Sequence, residues 1–353
     1  MPASVLNDRA RLLVVVPNWF GETLFATPFL RALRQPQPDA FIATLGWPQC
    51  RQMLMHNPHV NEIIDYDERG AHRGWLAKWR LVQTLRARRF DAAFILRKSL
   101  SRSLLLAAAR IPTRVGFANP KSGWLLTHRV TPSVMAQHKA STYLPLLEAV
   151  GLTVCTGPYE YFVSAEERHA AREQLSAHQL VNGRPFVVLH PGANWPHKRW
   201  AAERFAVLGD RLTETQHVHI LITGGPDDAG LAAAIASRMR TSPVVLAGQT
   251  NLRQLGACLE QALLVISNDT GILHMAAALG RPIVALYGPT SPAFTGPLGD
   301  PHHMVVIHHA DCCPQIPCYH PDRPAHPGME AIPVDEVYDA AVHLLTVGAR
   351  EGI

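Results

Sequence analysis

Residues 263–280 have the sequence LLVISNDTGILHMAAALG, in which one apolar run passes through a short polar turn into a second apolar run. The first run predicts a buried strand over Leu263–Ser267, and the second predicts a helix over Gly271–Leu279. Asp269 or Thr270 can cap this helix, because both side chains can accept hydrogen bonds from backbone N–H groups. A strand that leads directly into a helix is the unit of a parallel α/β sheet, and this junction therefore predicts that class.

The same alternation occurs twice along the 353 residues. In the first half we predict a helix from Gly21 to about Arg34, strands at 11–16, 41–45, 62–66, 91–96 and 114–116, and helices at 76–88, 101–109 and 143–150. In the second half we predict helices at 165–178, 201–212, 227–239, 252–259, 271–279 and 334–347, and strands at 186–190, 217–223, 244–246, 263–267 and 282–287.

Two tandem units of this kind predict an α/β protein with two doubly wound, Rossmann-like domains that face a central cleft. Ligands are expected at the carboxyl ends of the strands. We place an N-terminal domain at residues 1–175, a C-terminal domain at 176–330, and a C-terminal helix that packs near the hinge at 331–353.

Composition excludes several classes of protein. Hydrophobic residues make up 47% of the chain and charged residues 17%, which is not the composition of a disordered chain. No uncharged apolar run approaches the roughly 18 residues of a membrane-spanning helix, and charges at 8, 9 and 11 argue against a signal peptide. Six cysteines in a chain of this length do not form a disulfide framework. We therefore expect a soluble cytoplasmic protein.

Basic residues are concentrated between Arg69 and Lys139. This window holds fifteen Arg or Lys residues and a single acid, Asp91, so its charge is near +14 and that of the remaining chain is near −9. Such a charge attracts nucleic acid, anionic lipid, or a glycan that carries phosphates or carboxylates. Solvated, arginine-rich helix faces are the alternative interpretation. Aromatic residues are sparse and no nucleic-acid-binding motif is present, so we expect no nucleic acid partner.

Three common motifs are absent from the chain. The first predicted strand leads into PNWFGE at 17–22 rather than G-x-G-x-x-G, and neither G-x-x-x-x-G-K-[ST] nor G-x-S-x-G occurs. The sequence therefore argues against a nicotinamide-dependent dehydrogenase, a P-loop nucleotidase and a hydrolase with a nucleophile elbow.

The turn at 267–271 could bind a phosphorylated ligand. Backbone N–H groups of Thr270 and Gly271 lie at the positive end of the predicted helix, where a phosphate or pyrophosphate binds readily. A simple N-cap, with His274 as a core histidine, is the alternative.

Two further motifs follow predicted strands in the second half. HPGANWPHKRW at 190–200 contains Lys198, one of five lysines, and a flexible ammonium suits a phosphate whose charge grows during a reaction. An exposed loop lysine is the alternative. In TGGPDD at 223–228 the glycines let a ligand approach, and Asp227 or Asp228 could bind ribose hydroxyls, although this is also a common turn sequence.

These motifs together resemble glycosyltransferase family 9, the ADP-heptose:lipopolysaccharide heptosyltransferases. The resemblance covers essentially the whole chain and rests on Pro17–Glu22, His190–Trp200, Gly224–Asp228, and Asn268–Gly280 followed by Pro282–Pro289. Residues 17–21 are similar to the heptosyltransferase II type. The resemblance implies the two-domain GT-B fold, and inverting transfer of heptose from ADP-L-glycero-D-manno-heptose to an inner-core lipopolysaccharide acceptor.

The resemblance also implies that the second domain binds the donor. Lys198 would neutralise the pyrophosphate, Thr270 and Gly271 would donate backbone N–H groups to it, and His274 would lie beside the phosphates. A positive helix end would then replace the divalent ion of other transferases, so we expect neither metal nor cofactor.

The rest of the donor is assigned in the same way. The family resemblance places the donor sugar near Asp269, and an acid after the Gly-Gly turn, Asp227 or Asp228, would hold the ribose. We assign Asn194 to the donor site as well.

The acceptor base of this family is the acid directly after the glycine in the loop that follows the first strand. This position is Glu22, where the family usually has Asp, and Glu reaches about one methylene further. A Glu22 that only caps its helix is the alternative.

The basic window would bind the acceptor. An inner-core acceptor carries carboxylates on Kdo and phosphates on lipid A, and Arg97, Lys98, Arg102 and Lys121 are predicted to contact these anions. The expected place of reaction is the cytoplasmic face of the inner membrane, with peripheral contact to its surface.

Metal-ligand residue types are dense between 302 and 326. Cys312, Cys313 and Cys318 lack paired C-x₂-C spacing, so we expect a loop over the donor cleft rather than a metal site.

Alternative functions remain open at this point. Within the family, the chain could transfer another sugar or use a protein acceptor. Outside it, a GT-B-fold nucleotide-sugar-binding protein or a sugar epimerase would use a similar two-domain architecture.

Overall fold

The computed structural model of the chain describes residues 7, 9–132, 138–154, 156–180, 185–309, 316–318 and 325–351. The chain divides into two compact units, Met1–Phe162 and Val163–Ile353. Each unit contains a parallel sheet of six strands, with helices between successive strands. The predicted α/β class is therefore confirmed.

The first sheet has the strand order β3-β2-β1-β4-β5-β6. Its strands are β1 Arg11–Val15, β2 Phe41–Gly46, β3 Glu62–Asp65, β4 Ala92–Ile95, β5 Thr113–Phe117 and β6 His128–Val130. Its helices are α1 Phe20–Leu24, α2 Thr27–Arg34, α3 Pro48–Leu54, α4 Trp75–Ala87, α5 Leu100–Ala108, α6 Lys139–Thr142 and α7 Pro145–Glu148.

Prolines explain why two helices predicted in this unit differ from the observed ones. Pro28 is the second residue of α2, and the predicted helix from Gly21 to Arg34 is therefore split into α1 and α2. Pro145 begins α7, and the predicted helix at 143–150 is observed as this shorter helix, with the separate helix α6 just before the predicted range. A proline has no backbone N–H to continue a helix but is tolerated in its first turn.

The second sheet has the strand order β12-β11-β10-β7-β8-β9. Its strands are β7 Phe186–His190, β8 His219–Ile222, β9 Val244–Val245, β10 Leu264–Asn268, β11 Ile283–Tyr287 and β12 Met304–His308. The helices of this unit are α8 Ala165–Ala177, α9 Ala202–Gln216, α10 Ala229–Arg238, α11 Leu252–Leu259, α12 Gly271–Ala278, α13 Pro292–Thr295, α14 Pro327–Ala331 and α15 Val334–Glu351.

Helix α8 packs with the second unit, although the sequence analysis placed most of it in the N-terminal domain. Glu167 of α8 pairs with Arg253 of α11 at 2.5 Å, and Arg168 pairs with Glu260 at 2.7 Å. The boundary between the two units accordingly falls between Phe162 and Val163, before this helix rather than near residue 175.

The last helix also packs within the second unit. Asp335 at its start pairs with Arg211 of α9 at 2.5 Å, and the helix contacts β10, β11 and β12. The indole Nε1 of the buried Trp200 donates to the carbonyl of Ile332, just before α15, at 3.0 Å. The predicted place of this helix near a hinge remains a prediction.

Each sheet has a topological switch point, where the connections that follow two neighbouring strands run to opposite sides of the sheet. In the first unit this point lies between β1 and β4, which pair in parallel, and in the second between β7 and β10. Ser267 is in register with His190, so the carboxyl ends of β7 and β10 lie side by side. Open α/β sheets bind ligands in the crevice at such a switch point. The loops that follow these four strands are therefore where the site residues are expected.

In the part of the chain that the structure describes, no helix combines the length and apolarity needed to span a bilayer.

Candidate active site

Asp269 is the centre of a buried polar cluster at the switch point of the second sheet. It follows the last residue of β10, and the residue is only 7% exposed. The Nζ atom of Lys198 lies 2.6 Å from its Oδ2, and the Thr290 hydroxyl donates to the same oxygen at 2.6 Å. The Nε2 atom of His274 lies 3.9 Å from its Oδ1. Three chain segments that are far apart in sequence therefore meet at one carboxylate.

The Asp269 carboxylate stays ionised despite its burial. Burial alone would raise the pKa of Asp269, but the Lys198 ammonium, His274 and the hydrogen bonds from Lys198 and Thr290 hold this pKa below its ordinary value. An ionised partner keeps Lys198 fixed, because a partly buried ammonium is best satisfied by an opposite charge. The pair thus holds one positive side chain at the edge of the sheet.

Helix α12 begins beside this pair. Thr270 is its N-cap residue with extended backbone, and no side chain caps the first turn. Backbone N–H groups at Thr270 and Gly271 therefore remain available at the positive end of the helix. A side-chain cap from Asp269 or Thr270 was the prediction, and no such cap is formed. The structure brings together Lys198, Asp269, Thr270, Gly271 and His274.

The motif at 190–200 is tied to the Gly-Gly turn by an ion pair. Arg199 donates to the carbonyl of Ala193 at 2.8 Å and contacts the Asp228 carboxylate at 3.2 Å. Asp228 also accepts from the backbone N–H of Gly225 at 3.1 Å. A Cβ at Gly192 would come within 2.3 Å of Asp228, so the two loops pack directly against each other.

The predicted donor residues Asp227, Asp228 and Asn194 lie in these loops. The Asp228 carboxylate is engaged by Arg199 and by its own turn, whereas Asp227 is exposed. Asn194 is exposed and makes no hydrogen bond among the residues described. Asp227 is therefore the freer of the two acids to bind hydroxyl groups.

Four further residues of this site were not predicted as functional: Thr290, Asn268, His190 and Arg199. The Asn268 side chain joins the two loops, because its Oδ1 accepts from Trp200 N–H at 3.2 Å and its Nδ2 donates to the Pro191 carbonyl at 2.8 Å. Their signal in the sequence is their position, since each lies at the carboxyl end of β7 or β10 or in the loop that follows β7 or β11.

His190 is a neutral, buried histidine at the end of β7. Its Nδ1 lies 3.1 Å from the Thr223 hydroxyl. Burial lowers the pKa of His190 to about 4, although the nearby Asp228 carboxylate opposes this shift. At neutral pH the residue therefore contributes a hydrogen bond and no charge.

Glu22 lies in the first turn of α1, in the loop that leaves β1 at the switch point of the first sheet. Its Oε1 is 3.3 Å from the Nζ atom of Lys139, and both side chains are partly exposed. Side chains of α3 support the loop before Glu22. Cys50 Sγ contacts the Pro17 carbonyl at 3.2 Å, and Gln49 donates to the Asn18 carbonyl at 2.8 Å. The carboxylate is thus presented to solvent by a supported loop.

Arg102 differs from the other predicted acceptor residues because it is buried. The residue is 1% exposed, and its guanidinium donates to the Val16 carbonyl at 2.8 Å and to the side chain of Asn18. Burial lowers the pKa of Arg102, with Glu68 among the charges that oppose this shift. Arg102 was predicted to contact the acceptor anions, but it belongs to the inner face of α5 and supports the loop that precedes Glu22.

Arg97 lines a pocket of about 260 Å³ in the first unit together with Asn18, Trp19, Trp47, Glu68 and Arg69. It follows β4, the neighbour of β1, so this pocket adjoins the loop that leads to Glu22. Lys98 and Lys121 are exposed and do not line the pocket. One predicted acceptor residue therefore lines a pocket beside the predicted base.

Comparisons with known proteins agree with this arrangement. The model of glycosyltransferase family 9 (heptosyltransferase) matches residues 78–320. Lipopolysaccharide heptosyltransferase 2 of Salmonella typhimurium is 31% identical over 315 residues, which cover 84% of this chain and 87% of that protein. The chain belongs to glycosyltransferase family 9.

Solved structures of the family have the same fold. A family 9 glycosyltransferase from Veillonella parvula superposes with a TM-score of 0.87 at 27% identity, covering 97% of this chain and 99% of that one. The ADP-heptose lipopolysaccharide heptosyltransferase II of Escherichia coli gives a TM-score of 0.81 at 27% identity, covering 96% and 99%. The family 9 assignment, the glycosyltransferase class and the GT-B fold expected from the resemblance are confirmed.

The residues between 302 and 326 bear on metal binding in this family 9 chain. Among the described residues, no group of three or more His, Cys, Asp or Glu is placed to hold a metal ion. Cys312 and Cys313 lie outside those residues, whereas Cys318 is buried and donates its backbone N–H to the Pro289 carbonyl at 2.7 Å. The absence of a metal requirement remains a prediction.

Proposed function

We propose that this family 9 enzyme transfers heptose from ADP-L-glycero-D-manno-heptose to an inner-core lipopolysaccharide acceptor, with inversion at the anomeric carbon. The observation that carries the proposal is the Lys198–Asp269 pair, 2.6 Å apart, at the uncapped start of α12. The names of the similar proteins from Salmonella typhimurium and Escherichia coli support heptose as the sugar and lipopolysaccharide as the acceptor.

The donor would bind with its pyrophosphate between Lys198 and the start of α12. The ammonium and the N–H groups of Thr270 and Gly271 supply positive charge without a metal ion. As the bond between the anomeric carbon and the phosphate oxygen breaks, negative charge grows on ADP, and these groups stabilise it where it forms. Asp269 would orient Lys198 through the 2.6 Å contact between its Oδ2 atom and Lys198 Nζ, and the heptose would lie near this carboxylate.

The acceptor hydroxyl would be activated by Glu22. Its carboxylate takes the hydroxyl proton while the oxygen attacks the anomeric carbon from the face opposite to the leaving ADP. A single displacement of this kind inverts the configuration. Lys139, at 3.3 Å, balances the negative charge of Glu22 before the proton is taken.

The acceptor anions would be bound by Arg97, Lys98 and Lys121. Arg97 lines the pocket beside the Glu22 loop, and the two lysines are exposed. We assign Arg102 a positioning role, because its buried guanidinium holds the loop that carries Glu22. The reaction would take place at the cytoplasmic face of the inner membrane, where lipid A anchors the acceptor.

Transfer would need no metal and no cofactor. The positive charges that a divalent ion would supply are provided by Lys198 and the helix terminus. Addition of EDTA should leave the rate of ADP release unchanged, and a rate that falls and returns with added Mg²⁺ would contradict this point.

The test is to incubate the purified protein with ADP-heptose and defined truncated lipopolysaccharides, and to measure ADP release, product mass and anomeric configuration. Glu22→Gln should abolish transfer and leave ADP affinity unchanged. Glu68→Gln is the matched control, because Glu68 is another carboxylate beside the same loop. Loss of transfer in Glu68→Gln alone would move the base to Glu68.

The same experiment separates the alternative functions. Transfer of a different sugar, or to a protein, would replace the donor or the acceptor and keep the mechanism. Binding of the nucleotide sugar without turnover in the wild-type protein would indicate a binding protein instead, and interconversion of the sugar without an acceptor would indicate an epimerase.

A further inference from the structure

Large apolar side chains are exposed on three adjoining elements of the first unit. Trp75 and Trp79 of α4 are 75% and 53% exposed, and Leu76 beside them is also exposed. Trp124, in the 3₁₀ turn Gly123–Leu125, is 65% exposed. Helix α5 contacts both α4 and this turn. A soluble protein rarely leaves so many large apolar side chains in water on neighbouring elements unless they bind something.

Helix α5 has apolar residues on its solvent-exposed face, where polar residues are usual. Leu100 and Leu104 are exposed and one turn apart, while Leu105 and Leu106 are buried. The charged residue of this helix, Arg102, points into the unit. The usual amphipathic pattern, with apolar residues inside and charges outside, is therefore not followed here.

Basic residues accompany these apolar side chains. Arg80 and Arg86 of α4 are exposed and have no ion-pair partner among the described residues. Leu76 and Arg80 are four residues apart, and Trp79 and Arg86 are seven apart, so each pair lies on one face of the helix. Helices α4 and α5 and the 3₁₀ turn all lie within the basic window between Arg69 and Lys139, which has a charge near +14 and contains one acid.

We propose that this surface, formed by Trp75, Leu76, Trp79, Leu100, Leu104 and Trp124 with Arg80 and Arg86, docks the protein onto an anionic lipid bilayer. Tryptophan side chains settle at the boundary between lipid headgroups and acyl chains, since one end of the ring is apolar and the other is polar. Arginines on the same face are attracted to anionic headgroups. The inference rests on the proposed function in one respect, because a lipid-anchored acceptor would lie at the surface of an anionic bilayer.

The positive charge of this surface favours an anionic bilayer over a second copy of the chain as its binding partner. Two copies that met through this surface would bring two strongly basic windows together, and like charges repel. An anionic bilayer is complementary both to the exposed arginines and to the exposed aromatic rings.

The experiment measures sedimentation of the full-length protein with vesicles of phosphatidylcholine alone or of phosphatidylcholine mixed with phosphatidylglycerol. The wild type should bind the anionic vesicles and be released by salt. Arg80→Ser/Arg86→Ser should weaken binding on the order of 30-fold, since each basic side chain near an anionic surface contributes about 1 kcal/mol. Arg172→Ser, an exposed arginine of α8, is the charge control.

The apolar part of the surface is tested separately. Trp75→Ser/Leu76→Ser/Trp79→Ser should lose at least ten-fold in vesicle binding, and Leu100→Ser/Leu104→Ser provides an independent second variant if the first does not fold. Val207→Ser, an exposed apolar residue of α9 in the other unit, should bind as the wild type does.

Three outcomes would overturn the proposal: equal binding to both kinds of vesicle, no binding to either, or surface variants that bind as well as the wild type. A dimer that these variants dissociate, without vesicle binding, would show that the surface joins two copies. The proposed function is judged apart from this result, because transfer to a water-soluble, deacylated acceptor should be unchanged in the apolar variants.

Discussion

Lys198 carries the positive charge on which the proposed donor site depends. Lys198→Ala should lower kcat by about 30- to 1000-fold, which corresponds to about 2–4 kcal/mol of lost transition-state stabilisation, as for a removed oxyanion donor. Steady-state kinetics of ADP release would measure it. Lys78→Ala, in α4, is the control lysine. A decrease of less than threefold in Lys198→Ala would contradict the proposed role.

His190 makes the stability of the second unit depend on pH. Its pKa is lowered from 6.5 to about 4 by burial, so between these values the unfolded chain binds a proton that the folded chain does not. Titration of His190 therefore does not change the free energy of unfolding above pH 6.5. As the pH falls from 6.5 towards 4 this free energy decreases, by about 2 kcal/mol between pH 7.5 and pH 5.

Comparison of His190→Gln with the wild type by urea unfolding at pH 7.5 and pH 5 would test this dependence. The variant should lose about 2 kcal/mol less between the two pH values than the wild type does. His302→Gln, at an exposed position, is the control and should follow the wild type. The same pH dependence in His190→Gln and the wild type would show that His190 is not buried in the neutral form.

Arg102 and Arg97 are expected to have different roles beside the loop between β1 and α1, although the sequence assigned both to the acceptor. Arg102→Ala removes the donors to the Val16 carbonyl and Asn18, so it should lower the free energy of unfolding by about 2–4 kcal/mol. Arg97→Ala should change stability by less than about 0.5 kcal/mol. It should instead raise the KM for the acceptor and leave ADP affinity intact.

Urea unfolding and acceptor titration of both variants would test this division. Equal loss of acceptor use and ADP binding in Arg97→Ala would contradict the assignment of Arg97 to the acceptor. An Arg102→Ala protein as stable as the wild type would contradict its structural role.

The close contact between the β7 loop and the Gly-Gly turn depends on Gly192. Gly192→Ala would place a methyl group against the Asp228 carboxylate, which must then move away from Arg199 and Gly225. The free energy of unfolding should fall by about 1–3 kcal/mol, and ADP affinity should fall with it.

Gly230→Ala is the matched control, because a methyl group there meets nothing within 4 Å. This glycine lies in α10, where alanine should be neutral or stabilise by up to about 1 kcal/mol. Equal stability of the two variants in urea unfolding would show that the loops do not pack as described.

Central strands were predicted more completely than edge strands. The central strands β7 and β10 are buried at every position, so their apolar runs are visible in the sequence. Strands β6 and β12, which lie at sheet edges and are mostly only partly buried, were missed. The sequence of β6, HRV, contains no continuous apolar run of the kind that marks a central strand, whereas β12 begins with the apolar run MVVI and could have been predicted.

The cluster around Asp269 was predicted in its parts but not in its contacts. The sequence singled out Lys198 and Asp269 as separate candidates, while their pairing depends on the register between β7 and β10. Thr290 and the burial of Arg102 were not predicted, because both depend on which side chains a neighbouring strand or loop brings near. Spacing along one segment carries no information about such contacts.

At the level of the whole molecule, both sheets have the same strand order, and each has its candidate residues at the switch point. Glu22 and Arg97 follow β1 and β4 in one unit, and Lys198 and Asp269 follow β7 and β10 in the other. A transferase needs one site for an alcohol and one for a diphosphate, and we propose that each sheet supplies one of them.

A structure of the protein with ADP bound tests the central claim most directly. We predict that the β-phosphate lies within hydrogen-bond distance of Lys198 Nζ and of the backbone N–H groups of Thr270 and Gly271. ADP bound in the first unit, or in the second unit away from the start of α12, would contradict the account.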